Sequence, residues 1–270
     1  DFLEQMPASI ARGSEEVRFV WLLGQAAFWP DITRGLPEAE RERYNRANWH
    51  YIDGAWLRGQ AQIQGNTYIG VAPFDDIAGK NAQSIRNEAS VDNVMAALDY
   101  NTILLADSQA SLPQRAVALC WVLHLIGDIH QPLHTGSLYS TNRFSRGDRG
   151  GNGIETDERN LHARWDRALN REGVNATLEA VLRQHSTTLE RIGLIDDEDW
   201  SLWMHESRAL LLNTVYTQEM KSAIARSDNP TQKLRKFNLS DDYVETMKYH
   251  ARLRLALAGR RLASWFNAKL

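Results

Sequence analysis

Residues 124–134 read His124-Leu125-Ile126-Gly127-Asp128-Ile129-His130-Gln131-Pro132-Leu133-His134. His124 and Asp128 are four positions apart. On an α-helix, i and i+4 share a face, so this imidazole and this carboxylate reach one point in space. Pro132 stops the helix, and His134 follows just beyond it. A second string, His162-Ala163-Arg164-Trp165-Asp166, repeats the same spacing. One such pair is usually a local hydrogen bond. Two pairs with an extra imidazole between them are harder to explain that way, because their neighbours Trp121, Leu123, Leu125, Ile126, Leu161 and Trp165 are apolar. Imidazoles and carboxylates facing a core are costly unless paired or metal-bound. A donor set of His nitrogens and Asp oxygens without thiolate suits a catalytic divalent metal, zinc above all. Gly127 lowers helix propensity inside the first string, and close approach of a neighbouring element would account for it.

Outward from these strings, helical periodicity dominates. Helices are expected over 15–27, 37–47, 84–108, 112–129, 197–222 and 240–266. Pro113 sits at the first turn of its helix, and Asp197 and Ser240 are candidate caps. Strand signals are few and short. Residues 137–160, with Gly147, Gly150, Gly151, Gly153 and several arginines, read as a loop or small hairpin walling a metal cleft. No linker or repeat divides the 270 residues. The expectation is an all-α protein, a single compact, mostly helical domain over 1–270.

Composition narrows the function. The 43% hydrophobic and 24% charged content is that of an ordinary globular chain. A net charge of −3 gives no global basic field for gripping duplex, so a nucleic-acid substrate has to be read locally in a cleft. Nine tryptophans offer planar surfaces for stacking. The only cysteine, Cys120, excludes an intrachain disulfide and reads as a buried small hydrophobe. No apolar run is long enough to span a bilayer, and no signal peptide or initiator Met is present; a mature or trimmed form is expected.

With these residues quoted, a resemblance becomes specific. HLIGDIHQPLH resembles the signature of the S1/P1 nucleases, the zinc-dependent single-strand nucleases and 3′-nucleotidases. Trp29-Pro30-Asp31-Ile32-Thr33-Arg34 resembles that family's Trp-Ala-Asp-x-x-Arg element. Trp49-His50-Tyr51-Ile52-Asp53 resembles its His-aromatic-Ile-Asp element. Gly150-Gly151-Asn152 with Asn160-Leu161-His162-Ala163-Arg164-Trp165-Asp166 resembles its GGN…NLHxxWD element. The resemblance implies the S1/P1 nuclease and phospholipase C architecture, with two or three zinc ions. Asp31, His50 and His124 would hold one, His134, His162 and Asp166 a second, and Asp128 would bridge the first to a third. The family's third zinc uses an N-terminal Trp and a nearby His; this chain begins Asp1-Phe2-Leu3 and has no His before His50. His130, His185, His205 and His250 are left as surface or satisfied residues, His130 being the nearest to the proposed ligands.

The implied activity is hydrolysis of phosphodiester bonds in single-stranded DNA or RNA and of 3′-nucleotides, leaving 5′-phosphates. Clustered zinc lowers the pKa of bound water to about 7 and clamps phosphate oxygens. Asp31, Arg34, Asp128 and Asn152 carry the catalytic roles in this reading, Arg34 and Asn152 as donors to the phosphate. Tyr51 would stack on a base and Asp53 would accept from its edge, which favours single strands. Arg143, Arg146 and Arg149 could track a longer backbone or simply form a solvated loop. The family's loop tyrosine before NLH has no counterpart in Asp157-Glu158-Arg159. Two alternatives stay open: a zinc-dependent phospholipase C-like phosphodiesterase, and a nucleotide-binding member without turnover. The resemblance also implies a secreted or periplasmic setting, no protein partner and a monomer.

Overall fold

The computed structural model describes residues 2–54, 56–58, 61–63, 65–73, 88–192 and 199–269. Ten helices are present among them: α1 (Ala8–Ala11), α2 (Glu15–Ile32), α3 (Glu38–Tyr44), α4 (Val94–Ala106), α5 (Leu112–His130), α6 (Leu161–Asp166), α7 (Val174–Ile192), α8 (Trp200–Leu210), α9 (Gln218–Arg226) and α10 (Asp241–Lys269). The strands are β1 (Trp56–Arg58), β2 (Ala61–Ile63), β3 (Thr67–Ile69) and β4 (Leu138–Ser140). β1 and β2 form an antiparallel pair, while β3 and β4 run parallel, Thr67 opposite Leu138. The protein is all-α with two minimal sheets, and no described helix is long and apolar enough to cross a membrane.

Short polar side chains start the helices by accepting from free first-turn amides. Ser14 accepts from Val17 N, Asn93 from Met95 N and Ala96 N, Asn160 from Ala163 N, and Thr217 from Met220 N. Ser111 and Gln114 form a reciprocal box at α5, with Pro113 in its first turn. Ser240 caps α10 through Tyr243 N, as its sequence suggests.

α5 is the central element, packed by α2, α4, α8 and α10. Around it lies a core of Met95, Leu98, Val122, Leu125, Ile126, Ile129 and Met204 with Trp49, Trp121, Trp200, Trp203 and Trp265. A second cluster, with Leu133, Leu138, Ile154, Leu161, Trp165, Leu211 and Tyr216, lies under the glycine-rich segment. Most tryptophans are thus core residues rather than stacking surfaces.

Several boundaries depart from the periodicity. α2 runs five residues past Ala27 and carries Pro30 in its last turn, where the missing N–H removes one intrahelical hydrogen bond; Thr33 Oγ1 donates to Pro30 O at 2.6 Å. The expected 37–47 helix is α3 alone, followed by a 3₁₀ turn at Ala47–His50. The expected 84–108 helix begins only at Val94, since Asn93 is extended and caps it; a 3₁₀ turn occupies Glu88–Ser90, and 84–87 lie outside the described residues. The expected 197–222 helix is two helices. A π turn at Leu211–Val215 leads to an extended Tyr216, whose buried hydroxyl donates to Asp148. Asp197 lies outside the described residues, and Asp199 is the cap. α7 was not anticipated. The 137–160 segment is mostly turns, and its strand pairs in parallel rather than as a hairpin.

Two buried arginine networks fasten the elements behind the cleft. Arg261 and Arg254 of α10 both bind Glu206 of α8, at 2.7 and 2.5 Å, and Arg254 also donates to Ser207 Oγ. Arg261 Nη1 donates to His130 Nε2 at 2.9 Å, while His130 Nδ1 donates to Ile126 O, so His130 is a satisfied core residue. Arg208 of α8 donates to Thr135 O at 2.6 Å and to Gly54 O.

Candidate metal centre

Each proposed ligand sits on a well-held element. Asp31 is in the last turn of α2, and His50 ends the 3₁₀ turn after α3. His124 and Asp128 are one turn apart on α5, and His134 ends the 3₁₀ turn that Pro132 opens. His162 and Asp166 share a face of α6. Folding gathers these into two groups, Asp31, His50, His124 and His134, His162, Asp166; in each, the ligand atoms lie within 4.8 Å of one another. Asp128 stands between them. Its Oδ2 is 3.0 Å from His50 Nδ1 and 3.1 Å from His124 Nε2, and its Oδ1 is 3.2 Å from His134 Nδ1.

The imidazoles are aimed by main-chain carbonyls. His124 Nδ1 is 2.8 Å from Ala27 O, His134 Nδ1 2.7 Å from His50 O, and His162 Nδ1 2.7 Å from Gly150 O. A carbonyl can only accept, so each Nδ1 carries a proton, and in the neutral ring the Nε2 lone pair is then available to a metal. This outer hydrogen bond is the arrangement that orients metal-bound histidines. His50 is reversed: its Nδ1 faces His124 Nε2 at 2.9 Å, and its buried Nε2 has no hydrogen-bond partner among the described residues. Two imidazole nitrogens and carboxylate oxygens converging this closely are stable only around positive charge. The donor set therefore fits a divalent cation in each group.

The electrostatics agree. Burial opposes ionisation of Asp128, but His134 and His124 hold its carboxyl well below the usual carboxylate range. Burial also opposes charge on His134, yet Asp128 and Asp166 raise it to about 9. His124 is raised too, because Asp128 and Asp31 outweigh its burial. His162 is pushed down by burial and by charge on His134. Asp166 is drawn down by His134 and His162 against its burial, and Gln131 Nε2 donates to it at 2.8 Å. The carboxylates thus favour cationic neighbours, the charge that a bound metal ion would supply.

A groove of about 610 Å³ opens onto the centre, reaching Asp31, Asp128, His134 and Asp166 and walled by Phe28, Trp165, Ala251, Leu255 and Ala258. Gly127 lines it, and a Cβ built there meets nothing within 4 Å. Close approach of a neighbour is therefore not the reason for this glycine; it keeps the groove wall low.

The remaining sequence-derived residues surround the centre. Arg34 is exposed and pairs with Asp31 at 2.9 Å. Tyr51 is 46% exposed. Asp53 is turned inward at one oxygen, where Oδ1 accepts from Ser137 Oγ at 2.8 Å, and burial raises its pKa. Asn152 Nδ2 donates to Arg149 O at 2.8 Å, and its Oδ1 accepts from Asn160, the cap of α6, at 3.3 Å. Arg143 does not face a strand-binding surface; it donates to Ser227 O and Asn229 O and anchors that loop. Arg146 and Arg149 are exposed. Cys120 is half-buried, and burial pushes its thiol up to about 11, which disfavours a thiolate. His205 is exposed, whereas His185 and His250 each bury a ring nitrogen with no hydrogen-bond partner among the described residues.

Sequence reasoning missed Gln131, Ser137 and the orienting carbonyls of Ala27, His50 and Gly150. Carbonyls leave no signature in side-chain identity. Gln131 was legible only as a polar residue between two histidines.

The S1/P1 Nuclease family model matches residues 18–270. The chain is similar to "Nuclease S1" of Aspergillus oryzae, 26% identical over 186 residues, covering 65% of this chain and 61% of that protein. It is also similar to "Endonuclease 2" of Arabidopsis thaliana, 38% identical over 103 residues, covering 37% of this chain and 29% of that protein. The matched stretches thus span under two thirds of the first relative and under a third of the second. Every residue of the two clustered groups lies within the family match, and the chain belongs to the S1/P1 nuclease family.

Proposed function

We propose that this protein hydrolyses phosphodiester bonds in single-stranded DNA or RNA and the phosphate of 3′-nucleotides, as one catalytic domain over 1–270. The observation that carries the reading is the convergence of seven donors into two adjoining groups with Asp128 between them. In this reading zinc is held by Asp31, His50 and His124 and by His134, His162 and Asp166, with Asp128 bridging the first to a third. When bound, zinc supplies Lewis acidity and acidifies water to a pKa near 7.

The protein's own groups do the rest. Arg34, three residues beyond Asp31, donates to the phosphate and stabilises charge developing on it. Asn152 carries two amide protons; one is held by Arg149 O, and the second is free to meet the same phosphate. The exposed ring of Tyr51 stacks on a base, and Asp53 accepts from that base's edge. Stacking requires the base to leave its duplex partner, which is cheap only in a single strand. A secreted or periplasmic, monomeric enzyme completes the proposal, on the strength of the family likeness.

The test is zinc content and turnover on 3′-AMP, single-stranded DNA and phosphatidylcholine. Two or more zinc ions per chain with hydrolysis of the first two substrates supports the nuclease. Cleavage of phosphatidylcholine alone moves the assignment to a phospholipase, and bound zinc without turnover moves it to a binding protein. Asp128→Asn is expected to lower kcat by at least about a hundredfold and to loosen zinc; wild-type turnover in this variant would remove the bridging role.

A further inference from the structure

We propose that Ser137 is a positioning residue for substrate specificity, fixing the carboxylate of Asp53 and tying it to the Gly150–Asn152 turn. The proposal deepens the reading of Asp53 as a base contact and rests on it.

Ser137 is fully buried. Its backbone is held on both sides, since its N donates to Asn66 Oδ1 at 2.9 Å and its O accepts from Thr67 N at 3.0 Å. Asn66 Nδ2 in turn donates to Asp53 O, so Ser137 and Asp53 share one rigid frame. The hydroxyl makes two contacts. It lies 2.8 Å from Asp53 Oδ1 and 2.8 Å from Gly150 N. The roles are forced, because an amide N–H can only donate and a carboxylate can only accept. The single hydroxyl proton is therefore committed to Asp53, and a lone pair receives Gly150 N–H.

Gly150 cannot drift from this contact. Its φ is +57°, and a Cβ there would lie 2.2 Å from Leu133 O. Its carbonyl accepts from His162 Nδ1 at 2.7 Å. An unbroken hydrogen-bonded chain thus runs Asp53–Ser137–Gly150–His162, from the base contact to the second donor group. Removing the hydroxyl deprives Asp53 of a donor that orients its carboxylate alongside the charge of Arg208, and takes from the buried Gly150 amide the acceptor it uses. His162 keeps its carbonyl, because Gly150 is also wedged against Leu133. The effect should fall on base recognition rather than on the metals.

The experiment uses the zinc-loaded full chain as wild type, Ser137→Ala and Ser137→Cys, with 3′-AMP and the base-free ester p-nitrophenyl phosphate as substrates. In Ser137→Ala, KM for 3′-AMP should rise about tenfold, the loss of roughly one charge-assisted hydrogen bond. Its kcat, zinc content and KM for the base-free ester should stay within about twofold of wild type. Equal losses on both substrates, or an unchanged KM for 3′-AMP, would overturn the proposal. The thiol of Ser137→Cys is a weak donor of similar size, so it should show a smaller rise confined to 3′-AMP. If the alanine protein does not fold, a wild-type KM in the cysteine protein overturns the role. If zinc-loaded wild type turns over neither substrate, the hydrolase reading fails separately. Calorimetric binding of 3′-AMP then decides: about tenfold weaker binding in the variant upholds Ser137, and equal binding rejects it.

Discussion

Asp148 is not among the proposed ligands, yet it holds the segment whose Gly150 carbonyl accepts from His162 Nδ1. It is buried, its Oδ1 accepts from Leu138 N at 2.9 Å, and both its oxygens face the Tyr216 hydroxyl. Burial, ahead of the opposing hydrogen bonds, raises its pKa from 3.8 to about 6. A carboxyl raised on folding stabilises the fold below its unfolded pKa, and that contribution is lost as pH rises through the folded value. Asp148 should therefore add up to about 3 kcal/mol near pH 4 that is gone above pH 7. Urea unfolding of metal-free wild type and Asp148→Asn at both pH values checks this. The stability difference between the two proteins should move in favour of the variant as pH rises, and a pH-independent difference contradicts it. Gly127 gives an opposite kind of prediction. Open space at its Cβ position means Gly127→Ala should stabilise α5 by roughly 0.5–1 kcal/mol, read as a higher Tm, while narrowing the groove; destabilisation would mean an unseen neighbour.

At the scale of elements, Glu206 is the junction. It pairs with Arg254 and Arg261, and through Arg261 reaches His130 at the end of α5. With its side chain one-third exposed, Glu206→Ala should cost about 2–3 kcal/mol in urea unfolding, less than a fully buried pair would. A loss under about 0.5 kcal/mol would show that α8 and α10 are held by packing alone. The same elements show why sequence reading succeeded where it did. α5 and α10 carry long apolar periods and side-chain caps at their starts, so both signal and boundary are local. The break at Tyr216 and the late start at Asn93 were not legible, because each depends on a partner: the Asp148 carboxylate far away in sequence, and the choice of Asn93 to cap rather than continue. α7 was missed although Val174, Leu178 and Leu182 recur every fourth residue; these side chains are exposed, so the stripe does not mark a buried face. The parallel β3–β4 pair joins residues about seventy positions apart and leaves no local pattern. Of the centre, the side chains that converge were legible from i,i+4 spacing and motif resemblance. The groups that aim them were not, because most are main-chain carbonyls.

At the scale of the whole molecule, the centre is assembled from segments spread between Asp31 and Asp166, so binding of a metal there would be coupled to folding. Zinc bound to the native state alone should raise stability by about 4 kcal/mol at a free concentration a thousandfold above Kd. A chelator should accordingly lower Tm, and added zinc should restore it; a Tm indifferent to both would separate the centre from the fold. The most direct measurement is anomalous scattering at the zinc edge from crystals of zinc-loaded protein. The account predicts one peak among Asp31, His50, His124 and Asp128, and a second among His134, His162 and Asp166. Well-ordered crystals with neither peak, or with zinc only at other surfaces, would contradict it.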